Sequence, residues 1–200
     1  MIIVITPEKP VEKEPQLINR LFQEGLDLLH IRKPFMEREK TSDFIQKIDK
    51  KFHHQLVLHN HFDLSDDFNI TRFHFREAER QNNRYKTFKY KTISTSVHDI
   101  EVFNVLDSLW EYAFVSPVFP SISKRGYGEN SSVLHDLKNR RNSDVKLIAL
   151  GGINEQNVSE VSERNVDGVA LLGAIWENDD PLSVFRVCMK KFVSRQFDKN

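Results

Sequence analysis

A single cysteine, Cys188, has no partner within the chain, so an internal disulfide framework is excluded. One thiol in 200 residues suits a reducing compartment. Cys188 falls in the C-terminal helical pattern, where packing accounts for it better than chemistry. Net charge is missing as well: 29 Lys and Arg balance 29 Asp and Glu. That balance gives no electrostatic case for nucleic acid or an anionic membrane. No apolar run approaches the roughly 20 residues of a membrane span. The opening MIIVITPEKP has too short an apolar run, and lacks the basic lead-in, for a signal peptide. These absences predict a soluble, cytoplasmic protein that binds neither nucleic acid nor membrane.

Other absences narrow the chemistry. No glycine follows the first apolar run, so a dinucleotide-binding turn is missing there. No G-x-S-x-G elbow and no evident Ser-His-Asp arrangement speak for a hydrolase. His59, His61 and His74 could hold a transition metal, but their spacing matches no standard zinc pattern and no cysteine accompanies them. His53, His54 and His59 read as surface or packing histidines.

What is present is a succession of short apolar runs. Val145–Ile153, VKLIALGGI, and Gly168–Ile175, GVALLGAI, carry little polar alternation and stop at glycine. Strands covered on both faces read this way, as parallel strands do. Gly151-Gly152 permits positive φ and close approach to the backbone. Further strands are predicted over Ile2–Thr6, Leu28–Arg32, Gln55–Asn60, Arg72–Phe75, Thr92–His98 and Tyr112–Phe119. Helical spacing connects them: Pro15 to Gly25, Thr41–Phe52, Asp63–Asn69, Ile100–Leu109, Ser131–Arg141, Glu155–Arg164 and Pro181–Phe197. Glu77–Lys91 is polar and basic without a clear apolar face, so a shortened connection is expected there. Eight strand–helix units predict an α/β protein, a compact (β/α)8 TIM barrel, with an open doubly wound sheet as the alternative. No linker or repeat divides residues 1–200, which read as one domain.

The active site of such a barrel lies at the C-terminal ends of its strands. The residues predicted there are His30, Arg32 and Lys33, then His59, Asn60 and His61, then His74, Arg76, Glu77 and Glu79, then Ser96 and His98. The loop after the sixth strand adds Ser121, Ser123, Lys124 and Arg125, and the last two strands add glycine backbone. Cations, hydroxyls and free N–H groups dominate, and paired carboxylates are few. That set suits phosphate or pyrophosphate, since arginine offers a planar fork and lysine a compact charge.

Several segments resemble the thiamine phosphate synthase family, which includes the related thiazole tautomerases. They are YAFVSPVFPSISK at Tyr112–Lys124, LIALGGIN, DGVALLGAI, TSVHD, LLHIRKP and FHFREAE, in the family's order along nearly the whole chain. The resemblance implies a (β/α)8 barrel that joins a hydroxymethylpyrimidine diphosphate to a thiazole phosphate, releasing pyrophosphate with Mg2+. It places the thiazole phosphate on Ser121, Ser123, Gly151, Gly152 and Gly173, and the diphosphate among Arg32, Asn60, Ser96 and Lys124. The partners implied are phosphorylated thiazole and pyrimidine molecules, and a homo-oligomer is compatible with the pattern.

The departures from the pattern fall on one half of the site. The family's glutamine is His30, and its diphosphate lysine falls on Pro34, beside Lys33. Its Asn-Asp magnesium pair reads Asn60-His61, leaving Asp63 as the substitute metal ligand, and its second magnesium aspartate is Glu79. The tautomerase branch carries a histidine where Pro117 stands here. A tautomerase reading therefore turns to His30 or His98 for proton transfer. A non-catalytic thiazole- or thiamine-phosphate binding protein is the third reading.

Overall fold

Eight parallel strands close on themselves in sequence order: β1 (Ile2–Ile5), β2 (Leu28–Ile31), β3 (Leu56–Leu58), β4 (Arg72–Phe75), β5 (Thr92–Val97), β6 (Trp110–Val115), β7 (Lys146–Leu150) and β8 (Gly168–Leu171). Closure is made by β8 pairing with β1, Val169 opposite Ile2. The computed structural model describes residues 1–121, 126, 128, 129 and 131–197. The arrangement is a compact (β/α)8 barrel, the closed form rather than the open sheet.

Nine helices accompany the strands among the described residues: α1 (Glu14–Gln23), α2 (Arg38–Gln46), α3 (Leu64–Phe68), α4 (Glu77–Gln81), α5 (Ile100–Asn104), α6 (Val133–Asp136), α7 (Val158–Ser162), α8 (Gly173–Trp176) and α9 (Pro181–Phe197). Several are shorter than the apolar spacing predicts. Thr41–Phe52 divides into the end of α2 and a 3-10 turn at Lys50–Gln55. Ile100–Leu109 stops at Asn104, and Val105 beyond it is 80% exposed. Strands of three to six residues rise only about 10–20 Å, so one or two helical turns return the chain. Glu77–Lys91 is the expected short connection: α4, then a 3-10 turn at Arg84–Phe88 whose Tyr85 and Phe88 pack on the core.

Alternation along each strand divides two cores. Outward residues such as Val4, Leu29, Leu58, Phe73 and Val115 meet the helices. Inward residues Ile3, Ile5, Val57, Phe114, Ile148 and Ala170 fill the barrel axis. On α9 the residues Leu182, Phe185, Cys188 and Phe192 are buried. Burial pushes the Cys188 thiol up to about 12, consistent with a packing role. No helix of the described residues is long and apolar enough to cross a membrane.

Candidate active site at the barrel mouth

The apolar half of the barrel interior opens into a cavity of about 480 Å3. Arg32, Ser121, Gly151, Gly152 and Gly173 all line it, so five residues expected at a phosphate site share one space. Gly151 and Gly152 adopt φ of +107° and +63°, the left-handed region where side chains strain. Their neighbours matter equally. A Cβ on Gly151 would stand 2.8 Å from Pro117 Cα, and one on Gly152 would stand 2.2 Å from the Pro120 carbonyl oxygen. The bare backbone is thus required first by the loop after β6, whose Val118 and Phe119 N–H groups donate to Leu150 and Gly151 carbonyls at 3.0 and 3.1 Å. Trp176 of α8 donates its indole N–H to the Ile5 carbonyl at 2.7 Å, tying this side of the mouth to β1.

Arg32 follows β2 directly. Its backbone N–H donates to Thr6 Oγ1 at 2.8 Å, and its guanidinium meets Glu8 at 2.6 Å. The next residue turns away. Lys33 is wholly buried, with its ammonium 2.7 Å from the Glu14 carboxylate on α1. Burial lowers the Lys33 pKa and raises that of Glu14, each opposed by the other's charge. Ser123, Lys124 and Arg125 lie outside the described residues.

The other half of the barrel interior is polar. His30 is sealed in it, one ring nitrogen 2.8 Å from His59 Nε2 and the other 2.7 Å from the Tyr112 hydroxyl. This corrects the expectation that His30 touches substrate: it points inward, one layer below Arg32. His74 is held between Ser94 and Ser96 hydroxyls, each 2.9 Å away. Ser96 is therefore engaged with His74. Burial is the first cause lowering the pKa of all three histidines, with His74 falling to about 3 and with Arg32 and Arg76 adding repulsion at His59 and His74. All three rings are neutral at pH 7.

His59, which the sequence sets at the end of the third strand and which reads there as packing or surface, belongs to this cluster. The signal was strand parity: residues 57 and 59 share a face, as 30 and 32 do on the neighbouring strand. His98 is exposed at the mouth, its Nδ1 2.8 Å from the carbonyl of Ser116, a cavity-lining residue. Asn60 donates its side-chain N–H to the Lys33 carbonyl at 3.3 Å.

The two carboxylates expected to hold Mg2+ are both paired with arginine. Asp63 bonds Arg38 of α2, which lowers its pKa, and Arg38 also reaches Asp67 at 3.2 Å. Glu79 closes a capping box on α4, accepting the Arg76 backbone N–H at 3.0 Å and the Arg84 guanidinium at 2.5 Å. His61 turns its Nε2 to the Met36 carbonyl at 2.8 Å. Neither carboxylate lines the cavity beside Arg32. Magnesium requires oxygen donors in octahedral array, and as placed these residues do not fit it.

The chain matches the family described as "Thiamine monophosphate synthase" over residues 2–175. A thiamine-phosphate synthase of Listeria welshimeri is 30% identical over 151 residues, covering 72% of each chain. Another, from Clostridium acetobutylicum, is 26% identical over 187 residues and covers 86% of each. Among solved structures, the thiamine phosphate pyrophosphorylase of Bacteroides thetaiotaomicron superposes with a TM-score of 0.76 at 27% identity. It spans 100% of this chain and 98% of that one. The 3-hexulose-6-phosphate synthase of Salmonella typhimurium, at 17% identity and a TM-score of 0.70, shares the fold.

Proposed function

The chain belongs to the thiamine monophosphate synthase family, and on that premise we propose that it joins a hydroxymethylpyrimidine diphosphate to a thiazole phosphate, releasing pyrophosphate. The observation that carries this reading is the cavity of about 480 Å3 that Arg32 lines together with the glycine-ended loops of β7 and β8. Two anions can be seated there side by side. The thiazole phosphate takes the backbone of Gly151, Gly152 and Gly173 with Ser121, and the diphosphate takes Arg32. The bond between the pyrimidine methylene and the diphosphate oxygen breaks, its electron pair leaving with pyrophosphate. The thiazole nitrogen then donates its lone pair to the pyrimidine cation. Arg32 stabilises the charge that develops on the leaving oxygens, and the cavity walls supply orientation. Glu8 holds the guanidinium in place before substrate arrives. The test is incubation with both phosphorylated precursors, with and without Mg2+, followed by detection of thiamine phosphate. No product under either condition would overturn the reading.

One observation favours a second reading. Lys33, Asp63 and Glu79 are each engaged by an opposite charge, so the diphosphate half is poorer in groups than the thiazole half. A thiazole-phosphate isomerase or binding protein needs only the latter. In an isomerase, His98 is the available proton carrier, because it is exposed at the mouth while His30 is sealed. Turnover of the thiazole phosphate alone, lost in His98→Asn, would favour it.

A further inference from the structure

We infer that His30, His59 and His74 form a nitrogen-donor site for a first-row transition-metal ion of the zinc class, set in the polar half of the barrel. The inference does not depend on which phosphate ester the mouth accepts. One ring nitrogen from each histidine lies within 4.8 Å of the other two. Zinc–imidazole bonds are about 2.0–2.1 Å, which sets ligand nitrogens of a tetrahedral ion roughly 3.3 Å apart. His30 Nδ1 and His59 Nε2 are already 2.8 Å apart, so a modest opening there and a swing of the His74 ring complete the geometry.

The surroundings are those of metal-bound imidazole. Such rings hold their second nitrogen on a hydroxyl, carbonyl or carboxylate, which fixes tautomer and orientation. Tyr112 fills that place for His30, and Ser94 and Ser96 flank His74, so one serine can remain when the other nitrogen turns to a metal. The Nδ1 of His59 is buried with no partner. When its Nε2–H donates to His30, that Nδ1 carries a lone pair with nothing to accept. An ion held by Nε2 would take the place of that hydrogen bond to His30 and move the ring proton to Nδ1.

The donor set decides the class of ion. Three imidazoles without a thiolate or carboxylate suit Zn2+, Co2+, Ni2+ or Cu2+, and poorly suit Mg2+.

The test uses the full chain freed of metal by chelation, with no substrate present, so its failure is separate from failure of the transfer reaction. Zn2+ is titrated by calorimetry, and Co2+ by its visible absorption, which reports nitrogen coordination directly. The expected result is one equivalent of either ion, unaffected by millimolar Mg2+. His59→Asn, at the half-buried edge of the cluster, should weaken binding at least a hundredfold, and His74→Asn likewise. Tyr112→Phe should weaken it about tenfold through lost orientation. His135→Asn, which alters an exposed His–Asp contact on α6, should change nothing. Near-UV circular dichroism identifies any variant that fails to fold, and the remaining variants decide the matter. Absence of a stoichiometric site in the wild type, or one that survives His59→Asn and His74→Asn, would overturn the inference.

Discussion

The ammonium of Lys33 lies 2.7 Å from the carboxylate of Glu14, and both side chains are sealed under α1 and α2. The pair diverts into the scaffold a lysine that sequence position sets beside the diphosphate. Removing one partner leaves the other charge buried and unmatched. Glu14→Ala should therefore destabilise the fold by about 3–5 kcal/mol, whereas Lys33→Met with Glu14→Leu should come close to neutral. Denaturant melts of the single and double variants check this. If Lys33→Met also weakened diphosphate binding in protein that remained folded, the lysine would have a role at the mouth after all.

Stability should fall with acid in a way that reports the buried histidines. The His74 pKa is lowered from 6.5 to about 3 by burial and by Arg32 and Arg76. The unfolded chain therefore binds a proton that the folded chain refuses. The stabilisation is fully present above the unfolded value of about 6.5, and is lost as pH falls from there toward the folded value. Each such histidine steepens the decline by about 1.4 kcal/mol per pH unit within that window. Between pH 6 and pH 5, His74→Asn should flatten the dependence by that amount. Parallel curves for the two proteins would mean that His74 is protonated as easily in the fold as outside it.

Gly151 should prove sensitive for a reason distinct from ligand contact. A Cβ there meets Pro117, at a φ of +107°. Gly151→Ala should cost about 1–3 kcal/mol of stability and displace the loop after β6, with loss of phosphate binding as a consequence. Thermal melts and calorimetry with a thiazole phosphate should show both losses together. Intact stability with binding abolished would instead place the phosphate directly on that Cα.

Arg32 should discriminate between the two substrates. A charge-assisted contact to phosphate is worth about 1.5–3 kcal/mol, so Arg32→Ala should weaken diphosphate binding roughly ten- to hundredfold and thiazole phosphate binding much less. Glu8→Gln removes the carboxylate that shares this guanidinium and should tighten the diphosphate. Equal losses for both ligands in Arg32→Ala would assign Arg32 to the wrong anion.

The strands were legible because their apolar runs end at glycine, proline or a charged residue. Arg72–Phe75 and the C-terminal helix fall where periodicity puts them. Helix lengths were not, because a return helix ends where it has matched a short strand, as at Asn104, rather than where apolar spacing ends. Arg32 and the glycine walls could be read as strand-end residues. The direction of Lys33 could not, since its partner Glu14 belongs to the preceding helix and nothing local announces it. The contact between His30 and His59 was hidden for a related reason. Their meeting is set by parity across neighbouring strands, and a run such as LLHIRK does not display its neighbour's register.

Magnesium dependence gives the sharpest test of how far the diphosphate half has departed. Asp63 is held by Arg38, Glu79 by Arg76 and Arg84, and His61 presents nitrogen where a carboxylate oxygen would serve Mg2+. A hard cation finds few free oxygens there apart from those of substrate. The wild type should therefore show a weak response to Mg2+ in the synthase assay, saturating only at high concentration. His61 adopts φ of +51°, a conformation that aspartate tolerates with little penalty, so His61→Asp can add an oxygen donor without rebuilding the turn. Combined with Arg38→Ala, which frees Asp63, it should shift the Mg2+ titration to lower concentration by tenfold or more. Coincident titrations in wild type and double variant would show that this corner of the mouth does not hold the ion, and would move the search for its ligands to the substrate phosphates themselves.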